Sequence, residues 1–293
     1  TELLGESGAF HGVMYSYQYS PEGAKLELQL TDNDNFVPVR FDNIVWFSDQ
    51  ELLQKLHALV PLFDGQLPLS GNLPDQVSTA LQSLLIGLKV PGEADYLRAA
   101  NNNGPVDAIV FSVTGPHIMI RRVEFSGASP AELPLLQAAA EPLQGQEYLQ
   151  SMVRLQAEKI FRPIYLQRGY LKASFGELQP KVAEQTPEQT TVDLTIPVTP
   201  GEQYKLAGVE WSGNKLFPAA RLQSLIQLKD GQPANQIELE KDLEAVNTLY
   251  GVQGYMGATA RPIVQMDDAA STVRYHIAVS EGAVYHMGEL EIR

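Results

Sequence analysis

The side chains that could do chemistry in this chain are few and badly spaced for it. There are five histidines, His11, His57, His117, His276 and His286, and no cysteine. Two imidazoles at His-x-x-x-His spacing with a glutamate between them would give a zinc site and its general base, and no pair here has that spacing. His276 and His286 fall on separate predicted strands, where a strand-face or surface role fits better than a shared metal. The absence of cysteine removes disulfide frameworks, thiolate zinc sites and thiol nucleophiles, without fixing the redox compartment. Gly5, Gly8 and Gly12 are not preceded by a strand, so they do not form a dinucleotide fingerprint, and no Gly-x-Ser-x-Gly offers a hydrolase elbow. Asp32-Asn33-Asp34-Asn35 has oxygens that suit calcium. It lacks the glycine and distal glutamate of an EF-hand loop and reads as an Asx turn at a strand end. Asn101-Asn102-Asn103-Gly104 reads as a loop tip. No catalytic residue, cofactor or metal site is expected.

The aromatic residues point to packing. Tyr15, Tyr17 and Tyr19 alternate, so all three share one side of a strand, as a packed sheet face or, less simply, as a contact surface for a partner. Trp46, Phe125 and Trp211 each end a short apolar run and are expected in cores. Tyr170 and Tyr255 are expected to close the corner between a helix and the following strand.

The elements that carry these residues recur with a period near 85. Arg122-Val123-Glu124-Phe125-Ser126-Gly127 matches Gly208-Val209-Glu210-Trp211-Ser212-Gly213, with Val123 and Val209 86 positions apart. Arg168-Gly169-Tyr170 matches Gln253-Gly254-Tyr255 at an offset of 85, and Thr199-Pro200-Gly201 matches Ser280-Glu281-Gly282 at 81. Repeats of this length are architectural units.

Between the landmarks the pattern switches from period two to period 3.6 and back. In one copy an alternating strand at 118–125 precedes a helix opened by Pro130 and a longer helix carrying Leu149, Met152, Val153, Ala157, Ile160, Phe161 and Ile164. Strands near 171–182 and 191–198 follow. The next copy reads as strand 204–212, helices 218–228 and 235–251, and strands 256–266 and 272–280. Its second helix opens with a capping-box spacing, Asn235 to Glu238. A divergent copy has Ile44-Val45-Trp46-Phe47 as its first strand, helices 49–60 and 74–88, and strands 94–99 and 107–113. In it, Gly87-Leu88-Lys89-Val90-Pro91-Gly92 replaces the Gly-Tyr ending.

The expected fold class is therefore α+β: tandem small domains, each β-α-α-β-β with two helices packed on a three-stranded mixed sheet. The expected domains are the closing part of a repeat at 1–35, a divergent repeat at 36–116, repeats at 117–202 and 203–282, and the first strand of another at 283–293. In the last full copy Val209, Trp211, Leu225, Leu243, Val246, Tyr275 and Ile277 are expected to be buried together. Pro180 and Pro262 sit on the second strand of their copies, which places that strand at a sheet edge.

Charge narrows the functions further. Lys and Arg number 21 against 35 Asp and Glu, a net charge of −14. Nucleic-acid binding needs clustered cations and is disfavoured. Residues 1–116 hold 5 basic and 14 acidic residues, a balance that repels anionic bilayers. No apolar run is long enough for a spanning helix. With no initiator Met and an ending in what reads as mid-strand, the chain is expected to be a fragment of a longer protein.

The order strand, helix, helix, strand, strand, with Val-Glu-Phe-Ser-Gly (123–127), Val-Glu-Trp-Ser-Gly-Asn (209–214), Gly-Tyr (169–170 and 254–255) and strand three ending in Pro-Gly or Glu-Gly, resembles POTRA domains. These are the polypeptide-transport-associated repeats of outer-membrane protein assembly factors and surface antigens. The resemblance implies a periplasmic arm of a bacterial outer-membrane protein, placed ahead of a C-terminal β-barrel absent from this chain. It implies no enzymatic activity, no cofactor and no small-molecule substrate. The implied partners are unfolded outer-membrane proteins or accessory assembly proteins, docked by strand addition. The candidate edge residues are Leu171, Ala173, Ser174, Phe175 and Leu178 in one copy and Gly257, Ala258 and Ala260 in the next. The competing reading is an adhesion or division module built on the same repeat, with no transport role.

Overall fold

The structure, a computed structural model, describes residues 2–21, 23–100 and 104–286. The chain divides into two compact units, one of residues 1–124, 141–154 and 178–195, the other of residues 125–140, 155–177 and 196–293. The Asn101–Asn103 loop tip and most of the strand expected at 283–293 lie outside the described residues.

The first unit opens with a short helix α1 (Glu2–Glu6) and an antiparallel hairpin of β1 (Phe10–Ser20) and β2 (Gly23–Asp32). It continues through β3 (Phe36–Phe41), α2 (Asp49–Leu59), β4 (Gln66–Pro68), α3 (Leu73–Gly87), β5 (Glu93–Ala100) and β6 (Val106–Thr114). The sheet order is β4-β3-β6-β5, with β3 parallel to β6 and the other pairs antiparallel. Leu52 and Leu56 of α2 and Val77, Leu81 and Leu85 of α3 are buried against Phe41, Ile109 and Phe111 of the sheet. Ser48 caps α2 in a reciprocal box with Glu51, satisfying N–H groups that the helix start leaves free.

Two expectations are corrected here. The first strand is Phe36–Phe41, not Ile44-Val45-Trp46-Phe47, which lies in the loop before α2. That run is apolar because Ile44 and Val45 are buried as the loop crosses the core, which burial alone requires of no particular secondary structure. The second correction is β4, a strand between the helices that makes this sheet four-stranded where three were expected. Gly65 turns the chain at φ 102°, Asp64 Oδ1 accepts the Gln66 N–H at 3.2 Å, and Leu67 is buried.

The unit also holds most of β7 (His117–Ser126), β9 (Gln179–Gln185) and the first part of β10 (Gln189–Thr199). Residues 179–185 pair antiparallel with 190–195 of β10. Asp193 on β10 accepts from Arg121 at 2.6 and 2.8 Å and from Arg122 at 3.2 Å. Those guanidiniums, Arg121 first, hold its carboxyl below the usual range.

The second unit holds α4 (Leu133–Ala140) and, from Leu155 on, the helical run that starts as α5 (Gln150–Gln156) and continues through a π-helical turn at Ala157–Phe161 into α6 (Arg162–Leu166). Pro163 explains the wide turn: it has no N–H to give the preceding turn, and a π bulge absorbs the misfit. Then come β8 (Ser174–Phe175), β11 (Lys205–Ser212), α7 (Ala219–Gln223), α8 (Gln236–Val252), β12 (Thr259–Asp267) and β13 (Thr272–Ser280). The last sheet has order β11-β13-β12, parallel then antiparallel. This is the expected mixed three-stranded sheet carrying a helix pair. Leu243, Val246, Tyr275 and Ile277 are buried together, whereas Val209, Trp211 and Leu225 are only half-buried around them. Ahead of a bulge between Leu206 and Gly208, the fully buried residues are Tyr204, just before β11, and Leu206 on it. Helix α7 stops at Gln223 rather than running to 228, and the Gln227 N–H is taken by Asp242 Oδ2 at 2.7 Å.

Candidate binding edges

A sheet can accept an extended partner only where an edge has unpaired N–H and C=O groups. In the sheets of β3, β7 and β11 one edge is already occupied by the stretch between the helices. In the first it is β4 on β3. At β7, Ile120 donates to the Gln146 carbonyl and Tyr148 to the Ile118 carbonyl, at 2.8 and 2.6 Å. At β11, Leu206 donates to the Gln232 carbonyl and Ala234 to the Tyr204 carbonyl, both at 2.9 Å. The other edge is the second strand: β5 in the first sheet and β12 in the last. Proline is tolerated on such a strand because its missing N–H costs no ladder bond, and Pro262 lies on β12 and Pro180 on β9.

The candidate residues divide between core and edge. Of 171–178 only Ser174 and Phe175 form a strand, pairing with Thr199 and Val198. Leu171, Ala173 and Leu178 are buried. Leu171 belongs to the core that contains Tyr204, Leu206 and Val273. The alternation at Leu171, Ala173 and Phe175 thus reflects packing, and the longer strand of this copy is β9. Gly257 and Ala258 precede β12, and Ala260 is a buried residue on it. The more open part of β12 lies beyond Pro262, where Ile263, Val264 and Met266 are 53%, 46% and 41% exposed. Its signal in the sequence was apolar residues on a strand whose edge position Pro262 already declares.

Glycines fix the ends of these sheets. A Cβ on Gly127 or Gly213 would collide with the carbonyl oxygen of Val198 or Val279 at the end of the central strand. In the first sheet Asn43 takes this place: Nδ2 donates to the Val113 carbonyl at 2.9 Å and Oδ1 accepts the Val113 N–H at 2.7 Å. The pattern Val39-x-Phe41-x-Asn43 repeats the spacing Val209-x-Trp211-x-Gly213.

The loop after β13 is tied down by Glu281, whose Oε1 accepts the Lys215 and Leu216 N–H groups at 2.6 and 2.7 Å and the Tyr250 hydroxyl at 3.1 Å. Desolvation opposes the Glu281 charge, but these donors prevail and its pKa is lowered. Tyr250 is pushed up to about 12, by burial first and then by Glu281. His276 bonds Ser212 Oγ at 2.8 Å, a strand-face role. Asn33 Oδ1 accepts the Asn35 N–H at 2.9 Å, the expected Asx turn. Among the described residues no group of three or more His, Cys, Asp or Glu could hold a metal, and no helix is long and apolar enough to cross a membrane.

The POTRA family, described as a surface antigen variable number repeat, matches residues 204–282. The chain is 28% identical over 185 residues to an outer membrane protein assembly factor of Treponema pallidum (strain Nichols). That match covers 61% of this chain and 22% of the relative, so the chain spans about a fifth of the relative's length. A crystal structure of Haemophilus influenzae BamA POTRA3-5 is similar at 22% identity and TM-score 0.47, over 58% of this chain and 67% of that one. POTRA1-2 of the periplasmic domain of Omp85 from Anabaena is similar at 20% identity and TM-score 0.35, over 58% and 96%. The residues that match the family, 204–282, are those that fold as a helix pair on the β11-β13-β12 sheet.

Proposed function

We propose that this chain is a periplasmic arm of tandem POTRA repeats at 36–116, 117–202 and 203–282, between the closing part of one repeat at 1–35 and the opening strand of another at 283–293. In this reading it holds extended segments of unfolded outer-membrane proteins, or accessory assembly proteins, at its sheet edges and catalyses nothing. The observation that carries the reading is the single open edge of the last sheet. The stretch between α7 and α8 occupies β11, while β12 presents nine residues with an apolar, exposed far half. Backbone pairing reads little sequence, which suits a receptor for many barrel strands. Pro262 and Arg261 break the edge into Gly257–Ala260 and Ile263–Asp267, so binding is short-lived and weak. The similarity to an outer membrane protein assembly factor supports the same role.

The test is an NMR titration of the chain with a peptide from an outer-membrane barrel strand. Shifts along Thr259–Asp267 are expected, and Val264→Pro, at a position whose N–H shares the outer side with that of Pro262, should abolish them while circular dichroism shows the fold retained. Shifts confined to α7 and α8, or none at millimolar peptide, would overturn strand addition.

A further inference from the structure

The β1–β2 hairpin is two-faced, and its apolar face is bare. Cross-strand partners point to the same side of an antiparallel pair. The register Val13↔Leu30, Tyr15↔Leu28, Tyr17↔Leu26 and Tyr19↔Ala24 therefore gathers three tyrosines and three leucines on one face. The opposite face carries Ser16, Gln18, Lys25, Glu27 and Gln29, with Met14 its one large apolar residue. Tyr17 and Tyr19 are 57% and 81% exposed, and Leu26 is 59% exposed. An isolated two-stranded ribbon with such a face is marginal in water and needs a third strand or a helix layer.

What the hairpin is joined to says what covers it. Gly8 follows α1 by two residues, and a Cβ on it would collide with the Ser70 carbonyl, just before α3. Gly169, which ends the α5–α6 run, makes the same approach: a Cβ there would lie 2.9 Å from the Ala234 nitrogen, just before α8. Two residues beyond each glycine, Phe10 and Leu171 pack on the core of the segment that follows. The length agrees as well, with β1 and β2 of 11 and 10 residues against nine each for β12 and β13.

By this correspondence β1 and β2 are second and third strands. In the last sheet the third strand, β13, has Val273, Tyr275, Ile277 and Val279 buried beneath α8 and a first strand running parallel to it.

We propose that the Tyr15–Tyr17–Tyr19 and Leu26–Leu28–Leu30 face is the inner face of a further copy of the repeat. Its occupant is that copy's own helix pair, with a first strand added parallel to β2 on the side away from β1. This inference rests on the repeat organisation proposed above, though not on strand addition by clients. The β1–β2 ribbon is then a half-domain completed by residues upstream of Thr1.

Hydrogen exchange tests it, on the 293-residue chain and on the natural protein extended by the roughly 50 residues that a strand and two helices require at this repeat length. Amides of Gly23–Asp32 should exchange at least about tenfold more slowly in the extended chain, and Tyr17→Glu should abolish that protection while leaving the melting of the 293-residue chain unchanged. Unaltered exchange in the extended chain would overturn the proposal. So would a 293-residue chain that sediments as a dimer with β2 already protected, since the occupant would then be a second copy. Neither result depends on barrel-strand peptide binding, so failure of the client reading remains distinguishable.

Discussion

Asn43 shows how one structural requirement is met by different side chains. Where the first strand ends, the chain must pass close to the backbone of the central strand. Gly127 and Gly213 achieve this by having no Cβ, at φ 79° and 76°. Asn43 instead lends both ends of its amide to Val113, and it is itself buried. Asn43→Ala leaves a buried N–H and C=O without partners, which costs about 1–3 kcal/mol. The check is the urea midpoint of the segment 36–116, which should fall, with the transition of 203–282 unmoved. A midpoint that stays put would mean that water replaces the amide.

At the scale of elements, the sequence made the long ones plain and hid the short ones. Helices α2, α3 and α8 and strands β6 and β13 follow the expected spans within a residue or two, because their apolar periods extend over several turns or pairs. Strand β4 has three residues, too few to show a period. Strand β3 was outweighed by the more hydrophobic run Ile44–Phe47, although Val39-x-Phe41-x-Asn43 carried the repeat spacing.

The edge prolines located the open strands correctly, but the buried alternation at Leu171–Phe175 imitated one. Helix α7 was overextended because nothing local announces that Asp242, fifteen residues on, takes the Gln227 N–H. That carboxylate is buried, and desolvation, only partly offset by the Gln227 N–H, raises its pKa. A carboxyl whose folded pKa exceeds its unfolded value gives stability that is fully present below the unfolded value and is lost as pH rises through the folded one. Asp242→Asn keeps an acceptor for Gln227 and cannot ionise. Its stability relative to the parent chain, read from urea midpoints, should therefore grow as pH rises from about 3.8 through the raised pKa of Asp242. Parallel curves across that window would show that Asp242 is solvated.

For the whole molecule, Gly169 matters more as a joint than as a helix ending. Gly169 does stop its helix at φ 82°, as a C′ residue does. Its carbonyl also accepts the Tyr204 N–H at 2.8 Å, and Arg168 receives Gln203 Nε2 at 2.8 Å. A Cβ would sit 2.6 Å from the Tyr204 carbonyl oxygen. Beyond it Leu171 enters the neighbouring core, and Asp268 receives Lys172 at 2.7 Å and the Tyr204 hydroxyl at 2.5 Å.

Within the second unit, then, the segments before and after residue 203 share a core and cannot move as beads on a string. Solenoid-like arrays draw stability from such interfaces as well as from each repeat. After α3 it is Lys89, not a glycine, that takes the left-handed position, at φ 57°, a conformation strained for a side chain with a Cβ.

Gly169→Ala imposes that strain and a backbone collision together, and should cost more than about 1 kcal/mol. The expected consequence is local. Trypsin cleavage at Arg168 and Lys205 should accelerate severalfold, while the 36–116 segment keeps its protection. Cleavage at the wild-type rate would show that the joint yields without opening, and that Leu171 alone holds the two segments together.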